Sequence, residues 1–475
     1  MSSKVIRLAS LLTVAALLLT TASGCKKKTV TTSSILELVE DDDKTGNGGG
    51  QGNGSAQENN STVSGSGGST VSGSGGSSNH VSSGKVDPKK YRGSTVTYVT
   101  WKDPKYNEDG PVVEAFEKEY GIKVKIQLVN QKNYISTIAG NIASGTQGDV
   151  IFENDFFPSS LTVMEPLDKA CLDLADPIWD KVTLKRYTID GHPFILNTVS
   201  NVWSEVDICV YNKQLFETNG ITTPAEYYKN GKWTMATFKK ACQEIKALGA
   251  NYLGAAVLGD AFLGGCGQSF FKFENGHFVS GINDNLYKTM GFLAELSSAG
   301  LINPGRENFS DGKTGMAITN CFALKKTGYF STMNPKNIGA TYLPRLDENS
   351  PQVTCGMSRG WGLIRGCKNP VAAGLFLRYY LDVNNYDLSE TFQSSELEKF
   401  FFEATEASYK NKEVYYDYAL MISTGGSVRY AYEYERSASD MRKYIDEQKP
   451  VINKMINDAN AIIETEKKWL KNKYK

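Results

Sequence analysis

The 475-residue sequence has little of several features that mark common classes of protein. It contains three histidines and no C-x-x-C pair, which argues against a zinc site. Lysine plus arginine and aspartate plus glutamate both number 52, so there is no excess of positive charge to attract nucleic acid. The N-terminal apolar run from Leu8 to Leu19 is shorter than the roughly 20 residues that a membrane-spanning helix needs. We therefore expect a protein without metal, cofactor or nucleic-acid partner.

Cysteine is present, but not in a number that fits a complete disulfide framework. Of the eight cysteines, Cys25 stands apart near the N-terminus and seven lie in the rest of the chain. An odd number cannot all pair within one chain. Buried free thiols are the favoured interpretation, and whether any of the seven form a disulfide stays open.

The first residues have the pattern of a secretory signal. Lys4 and Arg7 precede the apolar run, and small residues lead to Cys25. This ending resembles a bacterial lipobox, which implies cleavage before Cys25 and a lipid on its sulfur. A plain signal peptide with an incidental cysteine is the alternative. Removal of residues 1–24 would leave 52 − 2 = 50 basic and 52 acidic side chains, a nearly neutral chain.

Residues 25–93 have the composition of a tether. Glycine, serine and asparagine dominate up to about Gly84, and the octapeptide STVSGSGG of Ser61 to Gly68 is repeated letter for letter in Ser69 to Gly76. A segment so poor in apolar residues cannot bury a core. We expect a lipid-anchored linker rather than a binding region.

The remaining residues, 94–475, are too many for one compact core and about right for two lobes. Strands are predicted near Val96 to Val99, Ile122 to Leu128 and Asp149 to Phe152, with helices between them. This order is β-α-β, which indicates an α/β protein. A further strand is predicted from Val206 to Tyr211, followed directly by a short helix.

Three later segments complete the prediction. Asn275-Gly276 supplies the positive φ angles of a type I′ hairpin turn. The stretch Leu258 to Gly267, LGDAFLGGCG, is interpreted as a glycine-rich loop, and it lacks the arrangement that cradles phosphate. A final amphipathic helix is expected from Val451.

Two blocks of the sequence resemble a known family. They are YNKQLF with KWTMATFKKA, and TWKDPKYNEDGPVVEAFEKEYGIKV with ASGTQGDVIF. Both resemble the extracellular solute-binding proteins of ATP-driven importers, in particular the sugar-binding relatives of maltose-binding protein. The resemblance implies a periplasmic-binding-protein-like α/β fold, with two α/β lobes joined by a hinge of several chain crossings. Lobe 1 would comprise 94–206 and 345–387, and lobe 2 would comprise 207–344 and 388–475.

The same resemblance implies a receptor rather than an enzyme. We expect a monomer that captures a carbohydrate, in particular an oligosaccharide, between its lobes and delivers it to the permease subunits of an ABC importer. The lipid on Cys25 would hold it on the extracellular face of the cell membrane, in a Gram-positive bacterium.

By position in the family pattern, the resemblance implies nine ligand-binding residues: Trp101, Asp103, Asp155, Trp203, Glu205, Phe322, Trp361, Tyr430 and Tyr432. A structural role stays open for most of them. The two aspartates could cap loops, and Phe322 and Trp361 could be core residues. Trp203 could pack under the hinge while Glu205 pairs with a surface cation.

Two other functions fit the same scaffold. A surface glycoside hydrolase would need two carboxylates flanking the scissile bond, and Asp103 with Glu205 is the example that the sequence offers. A receptor for a peptide or another solute is also compatible, because a fold does not determine its ligand.

The anchor hypothesis predicts a change in fractionation. Cys25→Ala removes the sulfur that would carry the lipid, so the protein should move from the membrane fraction to the medium or soluble fraction. Immunoblots of washed membranes check this. Retention of the variant on membranes through detergent-free washing would contradict lipid anchoring.

Overall fold

The structure is a computed structural model. It describes seven ranges of the chain: 86–104, 109–198, 206–304, 309–356, 359–385, 391–414 and 438–474. All of them belong to the compact unit Val86–Lys475, one of two units of the chain. The signal and nearly all of the linker fall in the other unit, Met1–Lys85, which lies outside the described residues. So do five residues selected from the sequence: Cys25, Trp203, Glu205, Tyr430 and Tyr432.

Strands and helices alternate through most of the described chain. The strands are β1 Thr95–Thr100, β2 Lys123–Leu128, β3 Val150–Glu153, β4 Met164–Glu165, β5 Thr188–Ile189, β6 His192–Pro193, β7 Asp207–Asn212, β8 Leu253–Val257, β9 Phe271–Glu274, β10 His277–Ser280, β11 Ile302–Pro304, β12 Thr314–Asn320, β13 Ile338–Thr341, β14 Thr354–Gly356, β15 Gly360–Ile364 and β16 Lys412–Val414. The α-helices are α1 Gly110–Tyr120, α2 Tyr134–Ser144, α3 Lys181–Arg186, α4 Lys213–Thr218, α5 Pro224–Lys229, α6 Met235–Lys246, α7 Gly259–Gly265, α8 Asp284–Ser298, α9 Pro370–Tyr380, α10 Ser395–Asn411 and α11 Ala438–Lys473.

The first five-stranded sheet has the order β2-β1-β3-β15-β4. Strands β2, β1 and β3 are parallel, as the predicted β-α-β order requires, whereas β15 is antiparallel to both β3 and β4. The register sets Tyr98 beside Val150 and Phe152 beside Trp361. A strand from late in the chain is therefore inserted between two early ones.

The second five-stranded sheet has the order β11-β8-β12-β7-β13. Strand β8 runs parallel to β11 and β12, and β7 is antiparallel to β12 and β13. All six residues of β7 are buried, in agreement with its central position. The predicted strand Val206 to Tyr211 corresponds to β7.

Helices cover both faces of the first sheet. On one face, Tyr98 contacts Phe376 of α9, which in turn meets Phe116 of α1. On the other face, Ile151 belongs to the same cluster of buried residues as Ile138 of α2. A sheet covered in this way defines an α/β architecture, and the predicted fold class is confirmed.

The chain passes between the two sheets three times within or beside the described ranges. It leaves the first sheet after Thr198 and starts the second at Val206. It returns between β13 and β15, and it leaves again after α9, since Phe392 packs with the second sheet's residue Ile208. The lobe boundaries given above stay predictions.

Two predicted elements differ from the structure. The segment interpreted as a glycine-rich loop contains the buried helix α7, in which a Cβ on Gly265 would lie 2.5 Å from the Cβ of Leu343. Glycine there permits close packing of a helix. The final helix begins at Ala438 rather than Val451 and continues through Pro450. Proline removes a single helix hydrogen bond, whereas buried Met441 and Ile445 extend the apolar stripe of this helix.

The predicted hairpin is confirmed by its turn. Strands β9 and β10 pair antiparallel, and Asn275 and Gly276 have φ angles of 51° and 76°. These are the positive values that a type I′ turn requires.

Helix α11 contacts both the β9–β10 hairpin and the first sheet. Its residue Asn460 accepts a hydrogen bond from the backbone N–H of Phe278 in β10 at 2.7 Å. Further along, Glu466 pairs with Arg365, which also donates to the carbonyl of Leu161 at 2.8 Å. The Arg365 guanidinium lies 3.9 Å from the ring centre of Trp469. One helix thus joins the hairpin to the first sheet.

The Arg365–Glu466 pair predicts a measurable loss of stability. Burial raises the pKa of the Glu466 carboxyl and Arg365 opposes this, so the arginine is what keeps a buried carboxylate tolerable. Arg365→Ala should lower the free energy of unfolding by about 3 kcal/mol, because it leaves Glu466 unpaired.

Chemical denaturation measures the effect, with Lys454→Ala as the matched control. Lys454 forms an exposed pair with Asp458 on the same helix. Removing it should change stability by less than about 1 kcal/mol. Equal effects of the two variants would contradict an anchoring role for Arg365.

Candidate functional site

The carboxyl ends of β1 and β3 meet the amino end of β15 at one edge of the first sheet. We refer to this edge, made of Trp101, 152–155 and 359–361, as the first edge. In open α/β sheets, ligands bind in the crevice outside the carboxyl ends of the parallel strands. The first edge therefore has the position expected of a binding site.

Three aromatic rings form a row along the first edge. The ring centres of Trp101 and Phe152 are 5.4 Å apart, and those of Phe152 and Trp361 are 4.6 Å apart. The interplanar angles are 33° and 31°, so the three rings are only moderately tilted from one to the next. All three side chains are partly exposed. The aromatic row is an apolar wall with some of its surface open to solvent.

Buried neighbours hold both indoles in place. Tyr134 packs edge-on against Trp101 at 5.0 Å and donates a hydrogen bond to the carbonyl of Val99 at 2.6 Å. On the other side of the row, the Trp361 Nε1–H donates to the hydroxyl of Tyr98 at 2.9 Å. Because its polar atom is already paired, Trp361 can offer a ligand only its ring. Trp361 is thus both a packing residue and part of the wall.

The glycines on either side of Trp361 make room for a neighbouring stretch of backbone. A Cβ on Gly360 would lie 2.5 Å from the carbonyl oxygen of Leu196, and one on Gly362 would collide with the backbone of Phe194. The backbone of the segment 194–196 therefore packs directly against both glycines.

Beside the aromatic row lies an ion pair. Asp155 is 4% exposed and accepts a hydrogen bond from the Arg359 guanidinium at 2.9 Å. Its φ of 64° is left-handed, which turns the chain sharply after β3. The pair joins residues more than 200 positions apart in sequence, and the pairing of β15 with β3 brings them together.

A second carboxyl group, that of Glu153, is buried behind this pair. Its side chain is wholly inaccessible, and Oε1 accepts a hydrogen bond from the backbone N–H of Phe156 at 2.7 Å. Burial, followed by the negative charge of Asp155, raises the pKa of Glu153 to about 8. The backbone N–H groups of Phe156 and Phe157 and the charge of Arg359 oppose this rise. At neutral pH, Glu153 is therefore mostly protonated.

The second sheet ends in a comparable edge, which we call the second edge and which is made of Asp207, Asn320 and Phe322. Asn320 pairs with Asp207 in the β12–β7 register, and its side chain accepts a hydrogen bond from the Phe322 N–H at 3.2 Å. The Phe322 ring is partly exposed and contacts Tyr329 at 5.1 Å.

Short stretches of chain connect the two edges. Cys355 contacts Asp207 of the second edge, with 4.0 Å between its sulfur and a carboxylate oxygen. Gly356 follows it, and three peptide steps later comes Arg359 of the first edge. Since consecutive Cα atoms are 3.8 Å apart, the Cα atoms of Gly356 and Arg359 are at most about 11 Å apart. This crossing segment thus keeps Arg359 of the first edge near the second edge.

Of the residues selected from the sequence, Trp101, Asp155 and Trp361 lie together at the first edge, and Phe322 lies at the second edge. Asp103 follows β1 and is partly exposed. The four that lie outside the described ranges, Trp203, Glu205, Tyr430 and Tyr432, stay predictions.

Sequence reasoning missed Phe152, Glu153 and Arg359. Phe152 could have been suspected, because it is the last apolar residue of a strand that ends at the edge. Arg359 gave no local signal, since its relation to Asp155 depends on a long-range strand pairing.

A separate cavity of about 400 Å³ lies between β10, α8 and α11. Its lining includes Ser280, Asn283, Tyr287, Lys449 and Asn453, none of which belongs to either edge. The Tyr287 hydroxyl already donates to Asp446 at 2.5 Å. This cavity adds no group to the candidate site.

Two general features of the described ranges bear on function. They contain no group of three or more His, Cys, Asp or Glu side chains placed to hold a metal ion. Within the same ranges, no helix has both the length and the apolar character needed to cross a membrane.

Comparison of the structure with solved structures gives many similar folds. The galacto-N-biose-/lacto-N-biose I-binding protein of the ABC transporter from Bifidobacterium longum is 14% identical, with a TM-score of 0.57 over 78% of this chain and 97% of that one. The extracellular solute-binding protein from Staphylococcus aureus in complex with maltose is 17% identical, with a TM-score of 0.53 over 79% and 98%. An ABC substrate-binding protein from Listeria monocytogenes in complex with cycloalternan is 16% identical, with a TM-score of 0.52 over 78% and 98%.

At these identities the likeness concerns the fold, and it confirms the predicted periplasmic-binding-protein-like architecture. A comparison with curated protein sequences gives no match. The family model described as bacterial extracellular solute-binding protein matches residues 101–383, more than half of the chain. The chain therefore belongs to the bacterial extracellular solute-binding proteins.

Proposed function

We propose that this protein is a carbohydrate receptor of an ABC importer, and that it captures an oligosaccharide between the first and second edges. The aromatic row at the first edge is the observation that carries the proposal. Ligand sites are lined mainly by apolar and aromatic side chains, with a few polar groups that fix orientation. Trp101, Phe152 and Trp361 supply such a lining, and the Asp155–Arg359 pair supplies charged groups beside it.

Sugars suit this combination because their ring faces carry C–H groups and their rims carry hydroxyls. A half-exposed indole can cover the C–H face, while a carboxylate and a guanidinium accept from and donate to hydroxyls. The three similar proteins are named with lacto-N-biose, maltose and cycloalternan, all of them carbohydrates, and this supports the proposed ligand class.

The proposal includes four residues that lie outside the described ranges. Trp203 and Glu205 would come immediately before β7, where the chain reaches the second edge. Tyr430 and Tyr432 would add further rings. In this proposal Glu205 accepts sugar hydroxyls, and Trp203 covers an apolar sugar face.

Delivery and location complete the proposal. The lipid on Cys25 would hold the protein, as a monomer, on the extracellular face of a Gram-positive cell membrane, and the closed, sugar-bound form would present its cargo to permease subunits. Membership of an extracellular solute-binding family supports the extracellular side of the membrane as the location.

Binding without hydrolysis is part of the proposal. Glu153 and Asp155 do not form a working pair of acid and base, because Glu153 is wholly buried and Asp155 is occupied by Arg359. A glycosidase needs both carboxyl groups at the scissile bond. In this proposal a bound oligosaccharide is recovered intact, and shortened products that vanish in Asp103 or Glu205 variants would favour the hydrolase.

Titration calorimetry with maltose, maltotriose, lacto-N-biose and cycloalternan tests the proposed function. At least one of these sugars should bind, and Trp101→Ala should weaken that binding about ten-fold or more, a loss of about 1.4 kcal/mol. Tyr228→Ala is the matched control, because Tyr228 is an exposed aromatic residue of α5 in the second layer.

The control variant should bind as the wild type does. The proposed site would be wrong if Trp101→Ala bound equally well, or if its weaker binding coincided with an equal loss of stability without sugar.

A further inference from the structure

The buried carboxyl group of Glu153 has no place in direct sugar binding, yet it lies immediately behind the site. Its Oε1 accepts a hydrogen bond from the Phe156 N–H. Within the described ranges, no group makes a hydrogen bond of ordinary geometry with Oε2. A buried polar atom without a partner costs free energy, and for an ionised group the cost is larger. The protonated acid is therefore the form that this environment tolerates.

Within the described ranges, three charged or titratable groups interact with Glu153. Asp155 follows it in the same loop, and Arg359 approaches from the segment before β15. Tyr134 of α2 lies close enough for its pKa, already raised well above the usual value by burial, to be raised further by the Glu153 charge. With Glu153 neutral, Asp155 and Arg359 carry one negative and one positive charge and balance each other.

We propose that Glu153 is a positioning residue whose proton keeps the Asp155–Arg359 pair balanced, so that the protein binds its solute less tightly once Glu153 ionises. This inference rests on the proposed function in that it assigns the pair to the solute site.

The physical reason is competition for one guanidinium. Ionised Glu153 would place two carboxylates beside Arg359, and like charges in a poorly solvated site repel strongly. Arg359 would then be drawn away from Asp155, or Glu153 would turn toward water and displace the loop that carries Asp155. Either change alters the groups presented beside the aromatic row.

Calorimetric titration with the tightest-binding of the four sugars named above, between about pH 7 and pH 9, measures the linkage. With the pKa of Glu153 at about 8, the fraction of protein with Glu153 protonated, which is the binding-competent form, falls about ten-fold over this interval. The apparent Kd of the wild type should therefore rise about ten-fold. Glu153→Gln keeps an oxygen that can accept from the Phe156 N–H but cannot ionise. Its Kd should be constant over the same interval, whatever its absolute value.

Thermal unfolding without sugar is an independent test of whether Glu153 is protonated in the folded protein. The pKa of Glu153 is about 8 in the folded protein, against about 4.3 for an ordinary glutamate carboxyl group. The folded protein therefore holds this proton more tightly than the unfolded chain does. The resulting stabilisation is complete below about pH 4.3 and is lost as the pH rises through about 8. The melting temperature of the wild type relative to Glu153→Gln should therefore fall between about pH 5 and pH 8 and then level off.

The outcomes separate the two proposals. If no sugar binds, the proposed function fails, and the melting profiles alone decide whether Glu153 is protonated in the folded protein. If a sugar binds and the wild-type Kd changes less than about two-fold, or rises equally in Glu153→Gln, the linkage is overturned while the receptor function stands. Parallel melting profiles of the two proteins would overturn it in either case.

Discussion

The pairing of β15 with β3 is the interaction on which the rest of the site depends. Strand β15 returns from the second layer and inserts between β3 and β4, which sets Trp361 beside Phe152 and brings Arg359 within reach of Asp155. Two glycines make the insertion possible, because the backbone of 194–196 occupies the space that side chains at 360 and 362 would fill. One strand pairing thus supplies both the aromatic row and the ion pair.

The same pairing gives neighbouring side chains opposite environments. Phe152 and Trp361 extend an apolar wall to the surface, while Glu153, the next residue of β3, is buried without a full set of hydrogen bonds. Natural sequences keep such costly groups where function requires them more often than elsewhere. Burial of Glu153 beside an ion pair is what makes the site sensitive to a single proton.

Much of the fold could be predicted from the sequence, because its signals are local. The local strand patterns predicted β1, β2 and β7, and Asn275-Gly276 predicted the hairpin turn. The prediction of a loop for the glycine-rich stretch Leu258 to Gly267 was wrong, because glycine serves close helix packing there. The predicted start of the final helix at Val451 was likewise wrong, because the helix begins at Ala438 and continues through Pro450.

The candidate site was only partly predictable. Trp101 and Asp155 could be chosen because the family resemblance marks positions just after two predicted strands. Arg359 could not, since its partner is more than 200 residues away and only the register of two antiparallel strands relates them. The raised pKa of Glu153 depends on its surroundings in three dimensions, which residue type and spacing do not reveal.

The most direct measurement of the central claim is a crystal structure of the protein with a bound oligosaccharide. We expect sugar density between the first and second edges, with a ring face against Trp101 and hydroxyls within hydrogen-bond distance of Asp155 or Arg359. Sugar bound instead in the cavity lined by Ser280, Tyr287 and Lys449, with the aromatic row uncovered, would contradict the proposed site.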